Sequence, residues 1–444
     1  MAKREELLAS AHVPLEQALE LHPRYRGKIQ TAAKCPIRGL ADFAIWYSPG
    51  VAAPCKAIAA SPELVYEHTN KGNTIAIVTD GTRVLGLGDI GPEAGLPVME
   101  GKALLFKYLG GVDAVPICLA TRDEAEIVRA VEMLQPSFGA INLEDIAQPK
   151  CFRVLDRLRA SLAIPVWHDD QQGTATVTLA ALINALDLVG KRLASARVVL
   201  LGIGAAGFSV YRALLAAGVD PRGIVACDSR GTLHRDREDI ARDRERFTEK
   251  WRVCTESNGD DVRGGLAQAL RGADACVAFS APDTIRPEWL KDMARDSIVF
   301  ACANPVPEIW PWDAKAAGVR IIATGRSDFP NQVNNSLGFP GIFRGVLDVR
   351  ARAITDGMGL AAARALAQLA VERGLRDDAL LPRMDDEEVA IREAVATGLA
   401  AQQEGVAQVS RSAEQLRASA AAAIRNARDA TRALMEAGVI LSPP

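Results

Sequence analysis

Two pairs of adjacent carboxylates carry the first chemical signal in this chain. Asp169-Asp170 follow the apolar run Ala163–Val166 and the dipeptide Trp167-His168, and precede what reads as a turn at Gly173-Thr174. Glu144-Asp145 close a second apolar run, Ala140-Ile141-Asn142-Leu143. Adjacent acids at a strand end are costly unless positive charge sits between them, and a metal ion supplies it most simply. Either pair alone reads as well as a helix N-cap or a solvated turn. Two of them, with the lysine and tyrosine motifs below, argue against coincidence.

A second signal is Gly202-Ile203-Gly204-Ala205-Ala206-Gly207, a GxGxxG between a strand pattern and a helix pattern. Its first glycine permits the turn and its second lets backbone approach a pyrophosphate. The third packs helix on sheet, and the helix N-terminus adds positive potential. Asp228 ends the next strand about 20 residues on, where a carboxylate accepts from an adenosine ribose. An acid there favours NAD over NADP, although Arg230, His234 and Arg235 lie close enough in sequence to offset it.

The elements that must position these groups alternate. Residues 1 to about 70 read as irregular and helical, with turns at Cys35-Pro36, Ser48-Pro49-Gly50 and Ser61-Pro62. Thr74–Asp80 and Val112–Leu119 read as buried strands, and Glu124–Leu134 has helical spacing. A second unit follows: a helix predicted over Thr174–Val189, then strands at Arg197–Leu201, Ile224–Cys227, Ala275–Phe279, Ser297–Cys302 and Val319–Ala323. Five such strands suit a doubly wound nucleotide-binding sheet. Beyond Met358 the composition shifts to Ala, Arg and Glu. Ser412-Ala413-Glu414-Gln415 there reads as a capping box before a long helix, whose apolar stripe must pack on the first domain or on another subunit. The expected class is α/β: an N-terminal α/β substrate and metal domain (1–166), a doubly wound Rossmann-type NAD(P)-binding domain (167–357) and a helical C-terminal tail (358–444).

Composition sets limits. A chain of 444 residues holds two or three domains, and 49% hydrophobic with 24% charged residues suits a folded core. A net charge of −3 argues against nucleic acid and anionic membranes as partners. No apolar run approaches the roughly 20 residues needed to span a bilayer. The amino terminus, Met1-Ala2-Lys3-Arg4-Glu5-Glu6, lacks a signal-peptide core. Eight scattered cysteines without a CxxC indicate neither zinc nor a disulfide framework, so the cytoplasm is the expected compartment.

Further motifs occur in order: Tyr47-Ser48-Pro49-Gly50-Val51-Ala52, Asp80-Gly81-Thr82-Arg83, Val98-Met99-Glu100-Gly101-Lys102, Asn142-Leu143-Glu144-Asp145 and His168-Asp169-Asp170. Ala303-Asn304-Pro305 and the stretch from Thr324 to Asn335 follow. From roughly Tyr47 to Asp348 the chain thereby resembles the malic enzymes, in particular their shorter prokaryotic form. The resemblance implies oxidative decarboxylation of (S)-malate to pyruvate and CO2, with NAD or NADP and a divalent cation, in a homodimer or higher homo-oligomer.

Glu144, Asp145 and Asp170 form an all-oxygen set suited to Mg²⁺ or Mn²⁺ rather than zinc. Asp169, by resemblance, stands behind the metal ligands. Lys102 is the expected general base, which demands that burial or a nearby cation lower its pKa. Tyr47 is the expected acid at C3 of the enol. Arg83 is placed to pair with a substrate carboxylate. Asn304 and Asn334 or Asn335 are expected at the nicotinamide ribose and the substrate carboxylate, whereas Asn331 reads as a turn former. His168 reads as a structural residue. Gln172 stands where the short form commonly has histidine. Three rival readings remain at this stage: a malolactic conversion to lactate with bound NAD, a catalytically silent malate and NAD sensor, and an amino-acid dehydrogenase, which the metal-type acids disfavour.

Overall fold

The computed structural model describes residues 2–326 and 328–443, with side chains from residue 13 onward. Ser327 of the Thr324–Asn335 stretch and Met1 lie outside the described residues. Among the described residues ten strands form two sheets. The first holds β1 (Thr74–Thr79), β2 (Asp113–Cys118), β3 (Ala140–Leu143) and β4 (Val166–His168), all parallel, in the order β2-β1-β3-β4. Its inner strands are nearly continuous buried apolar runs, as strands covered on both faces must be. The strand carrying Pro116 lies at the edge, where a missing N–H breaks no ladder.

The second sheet contains β5 (Val198–Leu201), β6 (Ile224–Asp228), β7 (Gly231–Thr232), β8 (Ala275–Ala278), β9 (Ile298–Ala301) and β10 (Ile321–Thr324), ordered β10-β9-β8-β5-β6-β7. It is parallel except for β7, a two-residue antiparallel strand that five predicted strands did not include. So short a pairing leaves no periodic signature in the sequence. The order reverses between β5 and β8, and in the first sheet at β1. Crevices open at such switch points beyond the carboxyl ends of the strands.

Three helices position the groups of interest. Pro92–Gly110 starts with proline at its first position and stops at Gly111, whose left-handed φ of 65° ends it. Its buried stripe of Met99, Lys102, Ala103, Phe106 and Leu109 follows helical spacing, so Lys102 occupies a core position on an apolar face. The helix Asp169–Leu188 begins five residues earlier than predicted. Two acids in its first turn face the positive end of the helix dipole, which favours that start. Gly173 and Thr174 therefore lie inside a helix, not in a turn. This helix packs on both sheets, and buried side chains run without a break from Ala76 in β1 to Ile321 in β10.

The third helix, Ala413–Glu436, carries the predicted capping box between Ser412 and Gln415. Its buried stripe Leu416, Ala420, Ile424 and Ala427 packs on Glu387–Gln403 and on Pro92–Gly110, so the apolar face is covered by the chain's own first layer. By contrast, the short helix Leu40–Trp46 leaves Leu40, Phe43 and Ile45 exposed. Among the described residues no helix is long and apolar enough to cross a membrane, and all eight cysteines are free.

Candidate active site

A cleft of about 2070 Å³, counted with its open mouth, separates the carboxyl ends of the two sheets. Arg83, Lys102, Glu144, Asp145 and Asp170 line one wall. Gly204–Gly207, Asn304, Asn334 and Asn335 line the other. The walls meet where Gly86 abuts Asn304: a Cβ on Gly86 would stand 2.0 Å from the Asn304 carbonyl oxygen.

The three acids converge. Carboxylate oxygens of Glu144, Asp145 and Asp170 lie within 4.8 Å of one another. Glu144 leaves the end of β3 and is held by Asn142 Nδ2 at 2.8 Å, from two residues earlier on the same strand face. Asp145 takes a left-handed φ of 54°, which turns its side chain toward the cluster. Its backbone N–H donates to Asp170 Oδ2 at 2.8 Å, while its own Oδ2 is buried with no partner. Burial, together with the Asp170 charge, pushes the Asp145 carboxyl up to about 8. Burial likewise raises Glu144, Asp169 and Asp170. Carboxylates crowded against one ammonium, Glu144 and Asp145 buried and Asp170 partly open to the cleft, with an orphaned oxygen among them, are the donor set a hard divalent cation satisfies.

Lys102 reaches the cluster from the side. Its Nζ lies 2.5 Å from Asp169 Oδ2 and 2.9 Å from Glu144 Oε1, over the Phe339 ring at 4.3 Å. Burial alone would lower this lysine, but the charges of Asp169 and Glu144 outweigh it and raise the ammonium above its ordinary value. The lowering expected from burial does not occur among these uncompensated acids. Asp169 is turned away from the three-acid cluster: Oδ2 faces Lys102 and Oδ1 accepts from Trp167 Nε1 at 3.1 Å. His168 is fully buried and lowered to about 4 by burial; neither ring nitrogen is hydrogen-bonded, and Nδ1 lies 3.7 Å from Asp170 Oδ2. Gln172 accepts from the His168 N–H at 3.1 Å and closes the start of the helix.

Asp80, at the end of β1, accepts from Thr82 and ion-pairs with Lys150, and so organises the loop that carries Arg83. Asn331 is structural: it is buried and holds the Ile322 and Asp377 carbonyls and the Leu380 N–H. Asn334 caps a turn at Ser336, with its amide at 3.3 Å from the Gly325 carbonyl. Tyr47 stands apart. It follows the helix Leu40–Trp46, is 73% exposed and does not line the cleft of its own chain.

On the other wall Gly202 follows β5 with φ of 91°, and a Cβ there would strike the Phe279 carbonyl. A Cβ on Gly207 would stand 1.8 Å from the Gly202 carbonyl oxygen, whereas Gly204 has nothing within 4 Å. The middle glycine thus opens to the cleft ahead of the helix Ala205–Ala216, as an anion cradle requires. Asp228 lies beside Gly202, whose N–H donates to the Cys227 carbonyl at 2.9 Å. Its partners are not His234 or Arg235 but Arg237 and Lys250, at 3.0 and 3.3 Å.

Phe339, Trp167, Asn142 and Leu85, whose N–H faces Asp145 Oδ1 at 3.4 Å, belong to the site and were not singled out from the sequence. Asn142 had a signal: an amide in an otherwise apolar strand, two residues before an acid. Phe339 had none, since it meets Lys102 across more than two hundred residues of chain.

The chain is similar to known proteins over most of its length. Residues 26–127 match the family described as "Malic enzyme, N-terminal domain", and residues 171–402 match "Malic enzyme, NAD binding domain". A bifunctional malic/malolactic enzyme of Bacillus subtilis is 48% identical over 401 residues, 90% of this chain and 96% of that one. An NAD-dependent malic enzyme of Geobacillus stearothermophilus is 50% identical over 383 residues, covering 86% and 78%. The crystal structure of Entamoeba histolytica malic enzyme superposes with a TM-score of 0.96 at 46% identity, covering 99% of this chain and 92% of that one.

Proposed function

The chain belongs to the malic enzyme family, and we propose that it oxidatively decarboxylates malate to pyruvate and CO2, reducing NAD(P), with Lys102 as its base. The observation that carries this reading is the convergence of Glu144, Asp145 and Asp170 beside Lys102, opposite an open Gly204. Glu144, Asp145 and Asp170 would hold a divalent cation, which would supply Lewis-acid polarisation of the substrate oxygens and offset the charge that keeps Lys102 protonated. Asp169 and Phe339 fix Lys102 in position, and once deprotonated its amine would take the substrate hydroxyl proton, with NAD(P) supplying the hydride acceptor. Arg83 pairs with a substrate carboxylate, and Asn304, Asn334 and Asn335 hold the nicotinamide ribose and substrate as neutral donors. Gly202–Gly207 and the following helix N-terminus bind the pyrophosphate.

Tyr47 is the acid that protonates C3 of the enol. Its position outside its own cleft, on a segment with Leu40 87% and Ile45 59% exposed, accords with a homodimer that covers this segment and brings the tyrosine to a cleft. A second reading is favoured by the likeness to the Bacillus subtilis protein: release of lactate instead of pyruvate.

The test is malate-dependent absorbance of reduced dinucleotide with Mn²⁺ and with EDTA, together with product analysis. Dinucleotide reduction and pyruvate, lost in EDTA and restored by Mn²⁺, support the proposal. Lactate without net reduction selects the second reading, and no malate turnover with any divalent cation rejects both.

A further inference from the structure

We propose that the adenosine-ribose subsite at Asp228 is built for a 2′-phosphorylated dinucleotide, so that the chain prefers NADP to NAD, with Lys250 and Arg230 as the phosphate-binding side chains. The inference rests on the dinucleotide reading above and reverses the preference that an acid at this position suggests from sequence.

A carboxylate has about four lone-pair sites. In Asp228 all four are taken within the protein. Oδ1 accepts from the Arg230 N–H at 2.9 Å and from an Arg237 terminal nitrogen at 3.1 Å. Oδ2 accepts from the other Arg237 terminal nitrogen at 3.0 Å and from Lys250 Nζ at 3.3 Å. No acceptor site remains for the two ribose hydroxyls that such an acid binds in NAD-specific sites. The acid serves instead as an anchor for cations.

Arg237 is fully engaged. Its five donors go to Asp228, Asp239 and the Thr232 carbonyl, and its side chain is only 9% exposed. Lys250 and Arg230 are different. Among the described residues Lys250 Nζ has Asp228 as its one hydrogen-bond partner, which leaves two ammonium protons. Arg230 is tied to Asp239 through one terminal nitrogen, and its side chain is 71% exposed. Three cations against the two carboxylates Asp228 and Asp239 leave one net positive charge at the end of β6, the strand end that faces the adenosine ribose in domains of this kind. A dianionic phosphate meets donors there, whereas an unmodified ribose meets a carboxylate with nothing left to accept.

The test measures binding, by calorimetry on the full chain without malate or metal, with NADP⁺ and NAD⁺ as probes. These differ by the 2′-phosphate alone. NADP⁺ is expected to bind about tenfold more tightly than NAD⁺, as one or two charge-assisted contacts to phosphate imply. Lys250→Gln is expected to cut that ratio by about tenfold and Arg230→Gln by about threefold. A purely structural loss would weaken both dinucleotides together and leave the ratio standing, and that result overturns the assignment. Equal or tighter binding of NAD⁺ by the parent overturns it too, while leaving the dinucleotide reading intact. Binding of neither dinucleotide overturns both.

Discussion

A Cβ on Gly173 would stand 1.9 Å from Asp169 Oδ1, so the glycine in the first turns of this helix is the space that Asp169 occupies. In an exposed helix interior, glycine to alanine stabilises by about 1 kcal/mol. Here the added methyl must displace the carboxylate that holds Lys102 and Trp167. Gly173→Ala is expected to lower kcat by about tenfold to a hundredfold and to destabilise by roughly 1–3 kcal/mol. Steady-state kinetics and thermal melting check both; a variant that is more stable and fully active removes the packing argument.

On the proposed function, Lys102 is the base and Asp169 the residue that positions it. Lys102→Ala is expected to retain dinucleotide binding and to lose malate oxidation by at least about a thousandfold. Asp169→Asn keeps a partner for Lys102 and is expected to fall by a smaller factor, about tenfold to a hundredfold, chiefly in kcat with KM little changed. Calorimetry with the dinucleotide separates binding from chemistry. Near-normal turnover by Lys102→Ala would remove it as the base.

On the proposed function, the exposed segment around Tyr47 would tie catalysis to assembly. Tyr47→Phe is expected to preserve dinucleotide affinity while reducing pyruvate formation by about a hundredfold. Leu40→Glu puts a charge on the most exposed apolar side chain of the helix before Tyr47. On an ordinary surface that change shifts stability by no more than about 0.5 kcal/mol. At a subunit contact it yields monomers and loss of activity together, which light scattering and kinetics on one preparation would show. Active monomers would separate Tyr47 from assembly.

Glu393 sets a pH dependence far from the cleft. It is fully buried between the C-terminal helices, both carboxyl oxygens lack partners, and burial raises its pKa well above the ordinary value. The folded state therefore keeps a proton that the unfolded chain releases near its ordinary pKa. This group's contribution is full below that unfolded value and is lost as pH rises toward the folded one. Glu393→Gln is expected to flatten the fall of Tm between pH 5 and pH 9, with a Tm roughly 2–4 °C above the parent at the alkaline end. An unchanged pH profile would mean the carboxyl is paired in solution.

Periodicity and local chemistry were enough to read the α/β class, the parallel strands, the helix Glu124–Leu134, the Ser412 capping box and the Gly202–Gly207 turn. Each of these is written in consecutive residues, because apolar runs, caps and glycine turns act over short separations. The acids at the ends of β1, β3 and β4 were legible for the same reason. The tertiary structure alone decided where their side chains point. It turned Asp169 toward Lys102 and Asp170 toward Glu144 and Asp145, put Gly173 inside a helix, and left Tyr47 outside its own cleft. It also gave Asp228 the partners Arg237 and Lys250 in place of His234 and Arg235, which are nearer in sequence. Those outcomes depend on helix phase and on contacts across long stretches of chain. Spacing along the sequence constrains which residues share an element, but direction in space is set by what each element packs against.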